Sequence, residues 1–92
     1  MEQPQAILAL GALGQAKRLQ LFRLLVSLGA GGMSAGNIAE RFGVAPSSLS
    51  FHLTNLVEAG LITQKRVGRQ LIYAASRGTV RDLQKYLGTL TR

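Results

Sequence analysis

The sequence has no cysteine, a single histidine, four acidic residues and few aromatic side chains. The missing thiols exclude disulfide bonds and thiolate metal sites, so cysteine usage does not constrain the redox compartment. One histidine and four scattered acids do not assemble a nucleophile with a base, or two carboxylates across a cleft. We therefore expect a protein that is not an enzyme and has no catalytic residue, no metal site and no cofactor.

The sequence also lacks a long apolar run. Apolar residues are dense between Ala6 and Leu13, but this stretch is too short to span a bilayer, and it has neither a basic region before it nor a clear cleavage site. The other apolar residues are used by the core and the subunit contacts predicted below, which leaves no hydrophobic wedge for a membrane surface. We expect a cytoplasmic protein with no membrane partner.

Positive charge dominates the chain. Eleven Lys and Arg residues against four acids give a formal net charge of +7. From Leu61 onward there are seven positive residues and one acid, Asp82, so most of the net charge lies in the last third. This balance points to a polyanionic partner. The hydrophobic fraction of 47% is high for one domain of 92 residues and favours burial of the excess against a second copy.

The stretch from about residue 34 to 60 predicts two helices joined by a tight turn. Ser34 is a suitable N-cap for the first helix, Gly43 can end it in the left-handed conformation, and Pro46 fits the first turn of the second. Leu49, Leu53, Leu56 and Val57 give the second helix one apolar stripe. Its opposite face is small, polar and uncharged: Ser47, Ser48, Ser50, Phe51, Thr54 and Asn55. This arrangement is typical of a helix-turn-helix.

The next stretch, about residues 61 to 75, predicts a β-hairpin that forms a wing. Leu61, Thr63 and Val67 alternate with polar residues, and a second strand-like run follows Gly68 and Arg69. A glycine at the first central position suits a two-residue type II′ turn. The tip carries Lys65, Arg66 and Arg69, which indicate contact with nucleic acid. The alternative is that these charges only protect a strand edge and keep the protein in solution.

The remaining segments predict helices that support this unit and pair two copies. Residues 16 to 28 form a core helix whose stripe is Leu21, Leu24, Leu25 and Leu28, widened by Phe22 and Val26. Lys17, Arg18 and Arg23 are expected on its solvated side. Residues 4 to 13 are apolar all round, so a second subunit is expected to cover one side.

The last helix also predicts a subunit contact. Thr79 and Asp82 have the form of a capping box, and Val80, Leu83, Leu87 and Leu90 make a heptad-like seam. We expect dimerisation through helices at about 4 to 14 and 79 to 90.

With these elements in place, the chain resembles the ArsR-type family of winged helix-turn-helix repressors. Ser47, Ser50, His52 and Leu53 match the family's S-x-x-S-x-H-L helix. The helix exit at residues 58 to 62 also matches, as do the following wing positions: Arg66, Gly68, Arg69 and Tyr73. The resemblance implies a mostly α fold with a small β-hairpin, in which four helices, the hairpin and a fifth helix form a single domain over residues 1 to 92.

Departures from the family pattern concern the cap, the reading face and the sensor. Ala45 replaces the usual Ser or Thr cap, and Phe51 stands where a longer polar residue is common, which predicts contact with a thymine methyl or a sugar. The positions of the family's metal ligands hold no cysteine or histidine, so the residues do not support a metal sensor. The inducer alternatives are ligands beyond Arg92, an organic molecule, or none.

We therefore predict a sequence-specific regulator that binds double-stranded DNA, a homodimeric repressor on a palindromic operator that is released by an inducer of unknown identity. His52 is expected at the edge of the core, donating a ring N–H to a phosphate or carbonyl. The expected DNA-binding residues are Ser47, Ser48, Ser50, Phe51, His52, Thr54, Lys65, Arg66 and Arg69. The alternative is a winged-helix module that binds a protein partner and no specific DNA.

Overall fold

The computed structural model describes residues 1–91, so Arg92, the last residue of the predicted domain, lies outside the described part. Five α-helices and three strands follow one another over these residues, in the order predicted for a winged helix-turn-helix apart from one added strand. The elements are α1 Gln3–Leu13, α2 Ala16–Leu28, β1 Met33–Ser34, α3 Ala35–Phe42, α4 Pro46–Glu58, β2 Ile62–Val67, β3 Gln70–Ala75 and α5 Arg77–Leu90. Over the same residues, no helix combines the length and apolarity needed to cross a bilayer.

Helix α2 lies at the centre of the core. Its buried residues are Leu21, Phe22 and Leu25, and they join the buried residues of α3, α4 and the sheet in one cluster. The predicted stripe is wrong at its C-terminal end, where Leu28 is exposed, whereas Phe22 is buried as expected. Leu28 is the last residue of the helix, where Gly29 turns the chain away, so this side chain projects beyond the packed region.

Helix α1 packs on the core through small residues. Ala6, Ala9 and Ala12 are buried, whereas Ile7 and Leu8 are 59% and 56% exposed. Alanines let the helix backbone approach its neighbours closely and leave the larger side chains pointing outward. One side of this apolar helix is thus covered by its own chain, and the other side is uncovered in a single copy.

The sheet contains a strand that was not predicted. The two residues of β1 pair with β3, and β3 pairs with β2, which gives the antiparallel order β1-β3-β2. Two residues are too few to show an alternating pattern, so the sequence alone does not reveal this strand. The predicted alternation in β2 is wrong, because Thr63 and Val67 are exposed and Ile62 is the buried residue of that strand. Within β2 only Ile62, at the base of the hairpin, is buried, so the rest of this strand carries no burial pattern.

Helix α5 begins earlier than predicted. Its N-cap is Ser76, and the Ser76 Oγ lies 3.0 Å from the Thr79 Oγ1, so Thr79 sits inside the first turn and the predicted capping box with Asp82 is wrong. Along the predicted seam Leu83 is buried, but Leu87 is exposed and Leu90 is 66% exposed. The C-terminal half of the seam is therefore not covered by other residues of the same chain.

Gly32 is the position where the fold most requires glycine. Its φ is +62°, and an added Cβ would collide with the carbonyl oxygen of Tyr73 in the adjacent strand β3. We expect Gly32→Ala to lower the free energy of unfolding by at least about 2 kcal/mol, because strain and the collision add. Thermal or urea unfolding measures this loss. Gly31→Ala is the matched control, since its Cβ would meet open space; an equal loss in both variants would refute the explanation.

Candidate nucleic-acid interface

Helix α4 presents one face to solvent because its other face is fixed in the core. Leu49, Leu53 and Leu56 are all buried and hold the helix against α2 and α3. Pro46 occupies the first turn, and the N-cap residue Ala45 makes no side-chain hydrogen bond, as predicted. A proline needs no N–H partner at this position, so the helix starts without a polar cap and its first turn stays open.

The outward face of α4 brings together five of the nine predicted DNA-binding residues. Phe51 is 63% exposed and is the only large apolar side chain on this face. Asn55 is half-buried and its Nδ2 donates to the Phe51 carbonyl at 2.9 Å, so its amide is already engaged. The remaining exposed residues are short hydroxyl side chains: Ser47, Ser48, Ser50 and Thr54. The face is uncharged, and its side chains are short apart from the ring of Phe51, so the helix can approach another surface closely.

His52 lies at the edge of this face and is held by a residue that was not predicted to take part. The Arg18 Nη1 is 3.4 Å from the His52 Nδ1, and the Arg18 Nε donates to the Ala12 carbonyl at 2.8 Å. Arg18 is half-buried, so its predicted place on a solvated side is wrong. Because a guanidinium only donates, Nδ1 must accept and the ring proton belongs on Nε2, which leaves that nitrogen able to donate outward. The sequence contains no local pattern that indicates this contact, because the two residues are 34 positions apart.

The surroundings of His52 lower its pKa below the ordinary value of 6.5. Burial is the largest cause, and the positive charges of Arg18 and Lys17 add to it. Since the unfolded chain takes up a proton more readily, the stability from neutral His52 is present above pH 6.5 and is lost as the pH falls through the folded pKa.

An NMR titration of the His52 ring should therefore give a midpoint below 6.5. The Arg18→Ala variant should move that midpoint upward, because one of the positive charges is removed. Arg23→Ala is the control and should leave the midpoint unchanged. An unchanged midpoint in Arg18→Ala as well would show that Arg18 does not lower the pKa of His52.

The wing is a hairpin closed by Gly68 and Arg69. Val67 pairs with Gln70 across the turn, and Gly68 has a φ of +63°. Within residues 1–91 positive φ occurs only at glycine, so Arg69 has negative φ and the turn is type II′ rather than type I′. Lys65 and Arg66 are exposed neighbours in β2 and point to opposite faces of the hairpin.

Backbone contacts fix the wing to the end of α4. The Leu61 N–H donates to the Leu56 carbonyl at 3.0 Å, and the Ser76 N–H donates to the Leu61 carbonyl at 2.8 Å. Gly60 makes the corner with a φ of +75°. On the wing itself, the Gln64 Nε2 donates to the Tyr73 hydroxyl at 3.1 Å. The base of the basic wing is therefore fixed to the C-terminal end of α4, the helix that carries the exposed face.

Known proteins share this arrangement. Residues 13–65 match the family model described as a helix-turn-helix domain. The transcriptional repressor SdpR of Bacillus subtilis is 35% identical over 60 residues, which cover 65% of this chain and 67% of that protein. An ArsR-like transcriptional regulator from Rhodococcus superposes with a TM-score of 0.84 at 24% identity, covering 96% of this chain and 80% of that one. The chain belongs to the ArsR-type winged helix-turn-helix family. It is a DNA-binding transcriptional regulator.

A third relative adds the oligomeric context of the ArsR-type fold. The homodimeric winged helix-turn-helix DNA-binding domain from Mycobacterium bovis superposes with a TM-score of 0.76 at 24% identity, covering 96% of this chain and 80% of that one. In the present ArsR-type regulator, the residues matched by the helix-turn-helix family model run from the end of α1 into β2, and they include both Arg18 and His52. Over residues 1–91, no group of three or more His, Cys, Asp or Glu side chains is placed to hold a metal ion.

Proposed function

We propose that this protein is a sequence-specific, homodimeric repressor that acts in the cytoplasm, has no enzymatic activity, and binds a palindromic operator. The observation that carries the proposal is an uncharged, exposed face on α4, followed directly by a basic wing whose base is fixed to the end of that helix. An uncharged face can approach base edges, whereas the adjacent charges hold the phosphates. The repressor function of SdpR supports the direction of regulation.

In the proposal, α4 lies in the major groove and reads bases through its outward face. The hydroxyl groups of Ser47, Ser50 and Thr54 donate to or accept from base edges, and Phe51 packs on a thymine methyl group. Ser48 and His52 lie at one side of this face, where a phosphate is the expected partner. The His52 Nε2 is the donor for that contact, because Nδ1 is turned to Arg18.

The wing supplies contacts that do not depend on sequence. Because Lys65 and Arg66 point to opposite faces of β2, a wing at the minor groove reaches the phosphates of both strands. Arg69 at the tip is exposed and reaches furthest, to a phosphate or into the minor groove itself. These three residues orient the protein, and α4 supplies the choice of sequence.

Exposed apolar residues support self-association through the terminal helices. Ile7 and Leu8 on α1, and Leu87 and Leu90 on α5, are exposed in a single copy although α1 and α5 pack together. The homodimeric relative from Mycobacterium bovis supports the same assembly. A two-fold dimer then places its α4 helices on half-sites about 10 base pairs apart, or a multiple of that.

Selection from a random duplex library tests the proposal. The full chain is equilibrated with the library at two salt concentrations, and the retained DNA is sequenced. We expect a palindromic site whose affinity falls steeply with salt. Retention without a common sequence would contradict specific binding, and no retention would favour the protein-interaction module in its place.

A further inference from the structure

One groove has no lining residue on α4 or on the wing, so the proposed DNA contacts do not use it. It lies between the end of α1, helix α2 and the first turns of α5, and its volume is ≈ 680 Å³. Leu13, Phe22, Val26 and Val80 are its main apolar lining residues. This volume is within the range of sites for small organic molecules, roughly 300 to 1,000 Å³.

The same groove is lined by three arginines and no acid: Arg23, Arg77 and Arg81. The Arg77 Nη2 donates to the Val26 carbonyl at 3.2 Å and so is held across the groove from α5 to α2. Arg77 and Arg81 are four residues apart and share one face of α5. Within residues 1–91, the side chains of Arg23 and Arg81 form no hydrogen bond to the protein. Their guanidinium groups can therefore bind an anion.

We propose that this groove binds an organic anion with a single carboxylate and an apolar chain or ring, and that this ligand is the effector that lowers DNA affinity. The carboxylate pairs with Arg23 and Arg81, because guanidinium forks match carboxylate geometry. The apolar part covers Phe22 and its neighbours. Helix α1 of a second copy could cover the same apolar lining residues. The exposed face of that helix is uncharged, however, and would leave the arginines without an anion.

Helix α2 connects this groove with the DNA-binding face. Phe22 and Val26 line the groove, while Arg18 at the start of the same helix holds Ala12 and His52. A ligand between α2 and α5 thus acts on the helix that supports α4 and on the helix proposed to pair the subunits. The effector role rests on the proposed repressor function, since it requires a DNA complex whose affinity can change.

Calorimetric titration of the full chain with octanoate, in the absence of DNA, tests the site. We expect saturable binding, with octan-1-ol and acetate bound at least about tenfold more weakly, because each lacks one of the two features. The Arg23→Gln, Arg81→Gln double variant should bind octanoate roughly tenfold more weakly. Arg66→Gln on the wing is the matched control and should leave octanoate binding unchanged.

Three results would overturn the site: octanoate that does not saturate, octan-1-ol that binds equally well, or a double variant with unchanged affinity. Octanoate should then weaken binding to duplex DNA for the natural protein and not for the double variant. Bound octanoate without a change in DNA affinity would overturn the effector role. Because the titration contains no DNA, a protein that fails to bind DNA at all refutes the proposed repressor and leaves the result for the groove intact.

Discussion

Replacing Lys65, Arg66 and Arg69 with glutamine is expected to lower affinity for every duplex sequence by on the order of 100-fold at moderate salt. The three side chains are exposed on the wing, so their loss removes phosphate contacts without disturbing the core. Because three residues are replaced in each subunit, a dimer loses up to about six phosphate contacts. The plot of log affinity against log salt should therefore become shallower by about 5, which a fluorescence anisotropy titration measures.

A second triple variant separates contact from bulk charge. Replacement of Arg23, Arg81 and Lys85 with glutamine removes the same net charge from exposed positions on α2 and α5, away from the wing. We expect this variant to retain most of the affinity and nearly all of the salt dependence. Equal losses in the two triple variants would mean that net charge alone binds DNA and that the wing has no special position.

Placing a carboxylate on the exposed apolar face of a terminal helix is expected to separate the proposed dimer. Leu8→Glu on α1 and Leu87→Glu on α5 each introduce an acid where we propose that two subunits meet. An unpaired buried charge costs several kcal/mol, which exceeds what a small interface retains. Operator affinity should fall at least about 100-fold, because each half-site then binds alone. Analytical ultracentrifugation gives the mass, and anisotropy gives the affinity.

Val67→Glu is the control for this experiment. Val67 is also an exposed apolar residue, but it lies on the wing, so its variant should remain dimeric in the same ultracentrifuge run. Dimers in both Leu8→Glu and Leu87→Glu would show that the terminal helices do not form the subunit contact. Loss of the dimer in Val67→Glu as well would indicate a general effect of added acid.

The sequence predicts the helices well wherever strong periodicity and chain breakers coincide. The bounds of α2 were predicted to the residue because Gly29 ends a clear leucine pattern, and α4 begins at Pro46 as expected. The start of α5 was predicted too late, because Thr79 and Asp82 imitate a cap while Ser76 occupies the real one. Strand β1 was missed because its pairing with β3 depends on contacts distant in sequence.

The residues of the candidate site could be predicted from the sequence, but the contacts that hold His52 in place could not. The exposed face of α4 follows from the spacing of its buried leucines, since helical geometry fixes the opposite face. The role of Arg18 does not follow in the same way, because its contacts with Ala12 and His52 depend on how α2 crosses α4. The opposite faces occupied by Lys65 and Arg66, by contrast, follow from the sequence once the strand is predicted, because neighbouring side chains in a strand alternate.

Comparison of the DNA sequences selected by the natural protein and by Phe51→Ala and Ser50→Ala tests the central claim most directly. If α4 reads bases in two half-sites, each variant should change the preferred base at one position, and the change should appear symmetrically in both half-sites. The Arg69→Ala variant, as a control, should select the natural site with lower affinity. An unchanged preferred sequence in Phe51→Ala and Ser50→Ala, with only a uniform loss of affinity, would contradict base reading by this face.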